Sequence, residues 1–339
     1  MNNLGYNMKR LIKKDIITFV CVLCCSACTL NTKQNDKHLS IVKPKDNIVT
    51  LRGEMILLGD TLPAVLGIVV ADKYILTVSD ERTPLFTALT KNGARVADFG
   101  HKGHATSEFT TTSILKQYTE DGCIVANDIN ANKLKLIDLH KTIDEKRTVV
   151  KRTIEMLPAS LESWYVDSGR QIVLQQHADN FSLHQNGKSI KDSKKLYEPH
   201  APAFPLYQSR LCASPNGRKV ALPMMYMDKI NFYDFEKDHL SSVSVYDAPA
   251  SKDDELHVYY CSTCTDGDKV YALYMNQSNE DSYDVPKNME IHVLDFDGMY
   301  LGRYVVQEYI IDIDCDDESL YGLDLEGNIY KFTLPKLKG

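Results

Sequence analysis

A hydrophobic pattern recurs along the 339-residue chain about every 48 to 50 residues, a scale of repetition that constrains architecture more tightly than any single motif. Each copy holds an apolar run, a tight turn, a second apolar run, a polar gap and a third run. The turns fall at Asp72-Lys73, Asp121-Gly122, Ser168-Gly169, Asn216-Gly217, Asp266-Gly267 and Asp316-Asp317. Asp-Gly and Asn-Gly pairs supply the positive φ that a two-residue hairpin needs, so these turns carry a mechanism. The runs between them, such as Tyr74 to Val78, Lys219 to Leu222 and Met289 to Phe296, are short and rich in β-branched and aromatic residues. Six such copies predict an all-β chain folded as a six-bladed β-propeller with about four antiparallel strands per blade.

The last copy fixes how the ring closes. It offers runs at Tyr309 to Ile313, Ser319 to Leu323 and Asn328 to Leu334, and then has no fourth. An apolar segment, Ile48 to Ile56, precedes the first copy with no partner of its own. Pairing this N-terminal strand with the last blade completes it and covers two strand edges that would otherwise invite aggregation.

Lys9, Arg10, Lys13 and Lys14 precede an apolar run from Ile16 to Cys25. A bilayer span needs about 20 residues, so this shorter run reads as a secretory signal. It ends in Cys25-Ser26-Ala27-Cys28, which resembles the lipobox of bacterial lipoproteins, with Cys25 where a Leu is usual. The expected organisation is a signal peptide over 1–27, a polar flexible tether over 28–47, and one propeller domain over 48–339. Cleavage before Cys28 leaves 35 basic against 45 acidic residues, a formal charge near −10. With no basic patch interleaved with aromatics, nucleic acid is excluded as a partner. Acyl chains such as palmitate on Cys28 would hold the protein at a membrane surface.

The segment Asp98-Phe-Gly-His-Lys-Gly-His-Ala-Thr-Ser-Glu-Phe109 resembles the loop after the first blade of the TolB-like six-bladed propeller lipoproteins of Bacteroidales. There the loop reads Phe-Gly, two residues, Gly, one residue, Gly-Pro-any-Glu-Phe. Phe99, Gly100, Gly103, Glu108 and Phe109 match, and Ala105-Thr106 stands in place of Gly-Pro. The resemblance runs from about Ile48 to Leu334. It implies the propeller fold and a cell-envelope location as an outer-membrane lipoprotein; it implies no particular activity.

Loops between second and third strands share one face with the crossovers between blades. They would present Asp80, Arg82, Asp128, Asn130, His177, Asp179 and Tyr226, with His101 and His104 from the first crossover. This set could hydrogen-bond a glycan or a peptide. The two histidines lie on a Gly-rich loop that does not align their rings, so they are read as solvated and not as metal ligands. Asp312, Asp314 and Asp316 superficially resemble a calcium loop, yet Asp317 and Leu323 stand where that loop requires Gly and Glu. Alternation does place Asp312 and Asp314 on one side of an inner strand, facing the channel, where acids could meet a cation.

Five cysteines lie in the folded part: Cys123, Cys212, Cys261, Cys264 and Cys315. Cys261-Ser-Thr-Cys264 is a lone CxxC on a strand leading into a hairpin, read as buried small residues. No nucleophile elbow, paired-histidine zinc motif or phosphate-cradling loop is present, so no cofactor is expected. Two insertions, Gly187 to Ser209 and Met275 to Asn288, exceed a normal connection, and the first, with its aromatic and Pro content, is the preferred partner-contact segment. The sequence therefore favours a lipid-anchored, non-enzymatic binding or scaffold protein of the envelope that contacts a protein partner or a glycan. The rival is an envelope glycan lyase or hydrolase with its site at the channel mouth.

Overall fold

The computed structural model describes residues 39–42, 47–62, 64–79, 83–157, 162–167, 172–177, 180–185, 188–193, 208–248, 256–278 and 289–335. Six of their sheets, each built on a meander of antiparallel strands, are arranged as the six blades of a propeller, and a two-stranded parallel ribbon, His101–Lys102 with Glu108–Phe109, lies on the first crossover. The innermost strands of blades 1 to 6 are Gly67–Ala71, Thr112–Tyr118, Glu162–Asp167, Cys212–Ala213, His257–Thr265 and Ile310–Cys315. These first strands pack on one another around the axis, and the chain steps outward through each blade before crossing to the next. Every blade is sandwiched between two others, so its middle strands are buried on both faces. That is why Tyr74–Val78 is buried along its whole length and reads as a continuous apolar run.

Acidic turns recur with the blades. In blades 5 and 6 the hairpin after the inner strand is closed by Asp266 and Asp316, whose Oδ1 atoms accept the backbone N–H groups of Asp268 and Lys269, and of Glu318 and Ser319. A tyrosine five residues on, Tyr271 or Tyr321, donates its hydroxyl to the other carboxylate oxygen, at 2.8 and 3.4 Å. Part of the chain's acidity and of its 19 tyrosines is thus spent on turn geometry.

Ring closure follows the expected plan with one refinement. Glu54–Leu57 is the fourth strand of blade 6, antiparallel to Ile329–Thr333 with Tyr330 opposite Met55. The residues just before it belong elsewhere: Ile48–Leu51 lies parallel to Tyr300–Val306 as a fifth strand on blade 5. The segment divides at Arg52-Gly53, where the Gly53 N–H bonds Glu308 Oε1 and a side chain would strike Phe332. Further upstream, Leu39–Ile41 runs parallel to His239–Ser244 as a fifth strand on blade 4. A helix, Leu139–Glu145, fills the polar gap between the third and fourth strands of blade 2. Asp138 caps its first turn by accepting the Lys141 N–H, and Leu139 and Ile143 anchor it.

Two positions make the fold testable. Gly59, just past the closing strand, donates its N–H to Asn328 Oδ1 at 2.8 Å, and a Cβ there would lie 1.9 Å from the Glu326 carbonyl oxygen. Gly59→Ala is expected to lower the urea midpoint, at a cost of roughly 2–4 kcal/mol, because backbone must move. An unchanged midpoint would show that closure does not depend on this contact. His184, in the third strand of blade 3, is fully buried, and neither ring nitrogen has a hydrogen-bond partner among the described residues. Burial lowers its pKa from 6.5 to about 4, helped by nearby His177. Unfolded chains therefore take up this proton near pH 6.5 and folded ones only near pH 4, so stability present at neutral pH is lost as pH falls through that window. The loss should reach on the order of 2–3 kcal/mol, and His184→Leu should remove it from urea curves compared at pH 7 and about pH 4.5. Equal acid sensitivity in both proteins would contradict this assignment.

Candidate functional site

The inner strands place one polar or charged residue each at nearly the same offset in successive repeats, and most of these meet in the central channel. Lys116 comes from blade 2, Glu162 from blade 3, Arg210 from just before the inner strand of blade 4, Ser262 from blade 5 and Asp312 from blade 6. Lys116 reaches across the axis. Its ammonium donates to Asp312 Oδ1, Ser262 Oγ and the Ile313 carbonyl, each at 2.6 Å, with the Thr263 carbonyl at 3.2 Å. Ser262 donates to Asp312 Oδ1 at 2.6 Å, and Asp312 Oδ2 accepts the Ile68 N–H of blade 1 at 3.0 Å. One ion pair therefore ties blades 1, 2, 5 and 6 together.

Electrostatics follow from this geometry. Burial alone would favour neutral Lys116, but Asp312 and Asp314 outweigh it and hold the ammonium's pKa above its ordinary value. Asp314 is buried, with Oδ2 accepting the Val70 N–H at 2.6 Å and Oδ1 accepting the Cys315 N–H at 2.9 Å. Burial is the stronger influence on it and raises its pKa to about 7, against the pull of Lys116. Beside this pair, Arg210 Nε donates to the Cys261 carbonyl at 3.0 Å and its guanidinium faces Glu162 at 3.4 Å. Burial raises the Glu162 pKa, and Arg210 only partly offsets it. Gln117 exchanges two hydrogen bonds with the Tyr165 backbone, both 2.8 Å, and so joins blades 2 and 3.

The sequence-predicted residues that the structure describes do lie on second-to-third-strand loops or on the first crossover. Thr110 and Thr111, which end that crossover, meet the blade 2 loop. Asp128 accepts the Thr110 N–H at 3.0 Å and hydroxyl at 2.6 Å, and pairs with buried Lys135 at 2.9 Å. Burial opposes ionisation of Asp128, but Thr110 and Lys135 prevail and keep its pKa below the ordinary value. Asn130 donates to Thr111 Oγ1 at 2.7 Å. His101 and His104 are exposed on the crossover, His177 is half-buried on blade 3 and Tyr226 is buried on blade 4. No cluster of three possible metal ligands among the described residues includes any of these histidines. Asp80, Arg82, Asp179 and Cys28 lie outside the described residues, as do residues 194–207 and 279–288 of the two insertions and the turn at Ser168-Gly169.

The motif that carried the family resemblance is a packing device. Phe99 and Phe109 are fully buried against Phe86, with ring centroids 5.3 and 5.4 Å away. Gly100 has φ +79° and backs onto the Phe86 ring, where a Cβ would stand 2.5 Å from it. Glu108 folds back so that its carboxylate accepts the Ala105 N–H at 3.0 Å. Lys135 lies 4.7 Å over the Phe109 ring.

Sequence reasoning placed Asp312 and Asp314 correctly on one side of an inner strand. It missed Lys116, Glu162, Arg210 and Ser262. Their signal was a charged or hydroxyl residue recurring about once per repeat, a few residues before the turn that follows each inner strand.

The fold defines the class: a six-bladed β-propeller. Among solved structures the chain is similar to a Bacteroides fragilis protein described as exported, at 12% identity and a TM-score of 0.55 over 88% of this chain and 99% of that one. It is equally similar to a member of the DUF4221 family from Bacteroides vulgatus, at 11% identity and a TM-score of 0.55 over 88% and 96% of the two chains. At these identities the likeness is one of fold. The chain matches no protein-family model, and no curated protein matches it in sequence.

Removing one partner of the central ion pair strands the other. Lys116→Met is expected to destabilise the protein by about 3 kcal/mol or more in urea denaturation. Adding Asp312→Asn, which discharges position 312 and still offers Ile68 an acceptor, should recover most of that loss. A single variant as stable as the parent, or a double variant no better than the single, would show that the pair does not hold the ring.

Proposed function

We propose that this propeller is a lipid-anchored binding or scaffold protein of the bacterial cell envelope, held at the outer membrane through acylated Cys28. It presents the face of its crossovers and second-to-third-strand loops to a protein partner or a glycan. The observation that carries the non-catalytic reading is the state of the channel charges. The three protons of Lys116 meet four acceptors, and Arg210 is spent on Glu162 and a backbone carbonyl. An acid–base catalyst needs a titrating group within hydrogen-bond reach of its substrate. Asp314, whose pKa burial raises to about 7, is enclosed away from any substrate, with a backbone N–H on each carboxylate oxygen. For the glycan lyase or hydrolase alternative the described channel residues leave Glu162, half-buried with its pKa raised by burial, and that carboxylate is held by Arg210 at 3.4 Å.

The envelope assignment rests on the charged, apolar and Cys28-ending N-terminal segment, and accords with the exported description of the Bacteroides fragilis fold relative. Among the described residues no helix is long and apolar enough to cross a membrane. The loop-face candidates in this reading are His101, His104, Asn130 and His177, with Asp80, Arg82 and Asp179 from the sequence; Asp128 and Tyr226 support the loops from beneath.

The test uses cells fed a labelled palmitate analogue, followed by quantitative capture of the full chain from their envelopes. The parent should carry label, fractionate with the outer membrane and enrich one partner at constant stoichiometry. Cys28→Ala should lose the label and the membrane association. Unlabelled parent protein would sink the anchor, and turnover of envelope glycan by the purified chain would sink the scaffold reading.

A further inference from the structure

A second cluster lies along the blade 6 inner strand, two and three residues on from Asp312. Cys264 ends the run of buried residues on the inner strand of blade 5, while Asp314 and Cys315 end the inner strand of blade 6. Two sulfurs and a carboxylate oxygen of these residues all lie within 4.8 Å of one another, and all three side chains are buried. Among the described residues this is the one place where three such donors converge. Cys261, the other half of the CxxC pair, is not in it; its thiol donates to the Leu273 carbonyl at 3.7 Å. The motif therefore divides, and the cysteine partner that matters is contributed by the next blade.

Asp314 supplies the independent observation. A buried carboxylate is ordinarily paired with a cation, yet none lies within ion-pair distance of Asp314 among the described residues, because Lys116 spends its protons on Asp312, Ser262 and backbone. Each Asp314 oxygen accepts only one backbone N–H, which leaves lone pairs for a further partner.

From this geometry we infer that Cys264, Asp314 and Cys315 form a binding site for a borderline-soft divalent cation, zinc in the first instance. Two thiolates and one carboxylate suit zinc at about 2.3 Å from sulfur and 2.0–2.2 Å from oxygen, distances compatible with donors that all lie within 4.8 Å of one another. Hard cations such as calcium or magnesium need six or more oxygens and would be refused here. Water fills the fourth position. Without the ion both thiols stay protonated. Binding therefore exchanges two thiol protons for the cation, and weakens as pH falls. The bound ion would join blades 5 and 6 on the side of the channel beyond the Lys116 pair.

The experiment uses the full chain purified with a thiol reductant, stripped by a chelator, and then given zinc or cobalt. About one zinc per chain should be retained after gel filtration, by elemental analysis. Cobalt should give intense sulfur-to-metal charge-transfer absorption with tetrahedral d–d bands. Cys264→Ser and Cys315→Ser should each lose the retained zinc and the charge-transfer band, whereas Cys261→Ser and Cys212→Ser keep both. The cobalt spectrum of the parent protein decides the matter even if a variant fails to fold. An octahedral cobalt spectrum without thiolate bands, zinc retention that survives both Cys264→Ser and Cys315→Ser, or a Cys264–Cys315 disulfide in chain isolated without reductant would each overturn the assignment.

Discussion

An ammonium group withdrawn from bulk water must be given acceptors, and Lys116 finds all of its own in other blades. Asp312 and the Ile313 carbonyl come from blade 6, and Ser262 and the Thr263 carbonyl from blade 5. The cost of burying the pair is met only while those strands hold their places around the axis. The ion pair is therefore a condition on the geometry of the whole ring and not a local embellishment. Asp312 extends it to blade 1 through Ile68, and Gln117 carries it from blade 2 to blade 3. Ser209 on Gln176 and Arg210 on the Cys261 carbonyl complete the circuit through blade 4. Each of these bonds joins residues close in space and far apart in sequence, so the ring is assembled by contacts that no single blade can make alone.

Much of this fold is legible in the sequence, because a blade repeats a strand pattern and its turn chemistry repeats with it. Asp266 and Asp316 sit where an Asx-turn needs them, and the acids that give the chain its negative charge partly disappear into such caps. The helix Leu139–Glu145 was not legible as more than a polar gap: it is short, and is fixed by the Asp138 cap and by packing that only the folded blade supplies. Nor could the Ile48 to Ile56 run be divided from its pattern alone. Its division between blades 5 and 6 depends on Gly53 passing close to Phe332 and Glu308.

The candidate site was less legible, for a physical reason. Loop residues advertise themselves through polarity, and polarity is equally what a solvated loop or a buried cap requires. Asp128 is the instructive case: a loop acid by position, it is committed to Thr110 and Lys135. The same holds for the Phe99 to Phe109 motif, whose conspicuous residues pack against Phe86 or close the loop on itself. The residues that do converge are charged or hydroxyl side chains spaced about a repeat apart on or next to the inner strands, among other polar residues of the same strands. Their meaning appears only when six inner strands are brought round one axis.

The two parallel strands laid on the rim have a mechanical consequence. From Leu39 the chain passes along the outer edge of blade 4, then blade 5, then blade 6, before it turns inward to start blade 1. A pull applied at the N-terminus would first meet a three-residue edge strand, then a four-residue one, and only afterwards the pair that closes the ring. Each of the outer two pairs along one edge only, so its place in the sheet is not a condition on the four-stranded meander beside it.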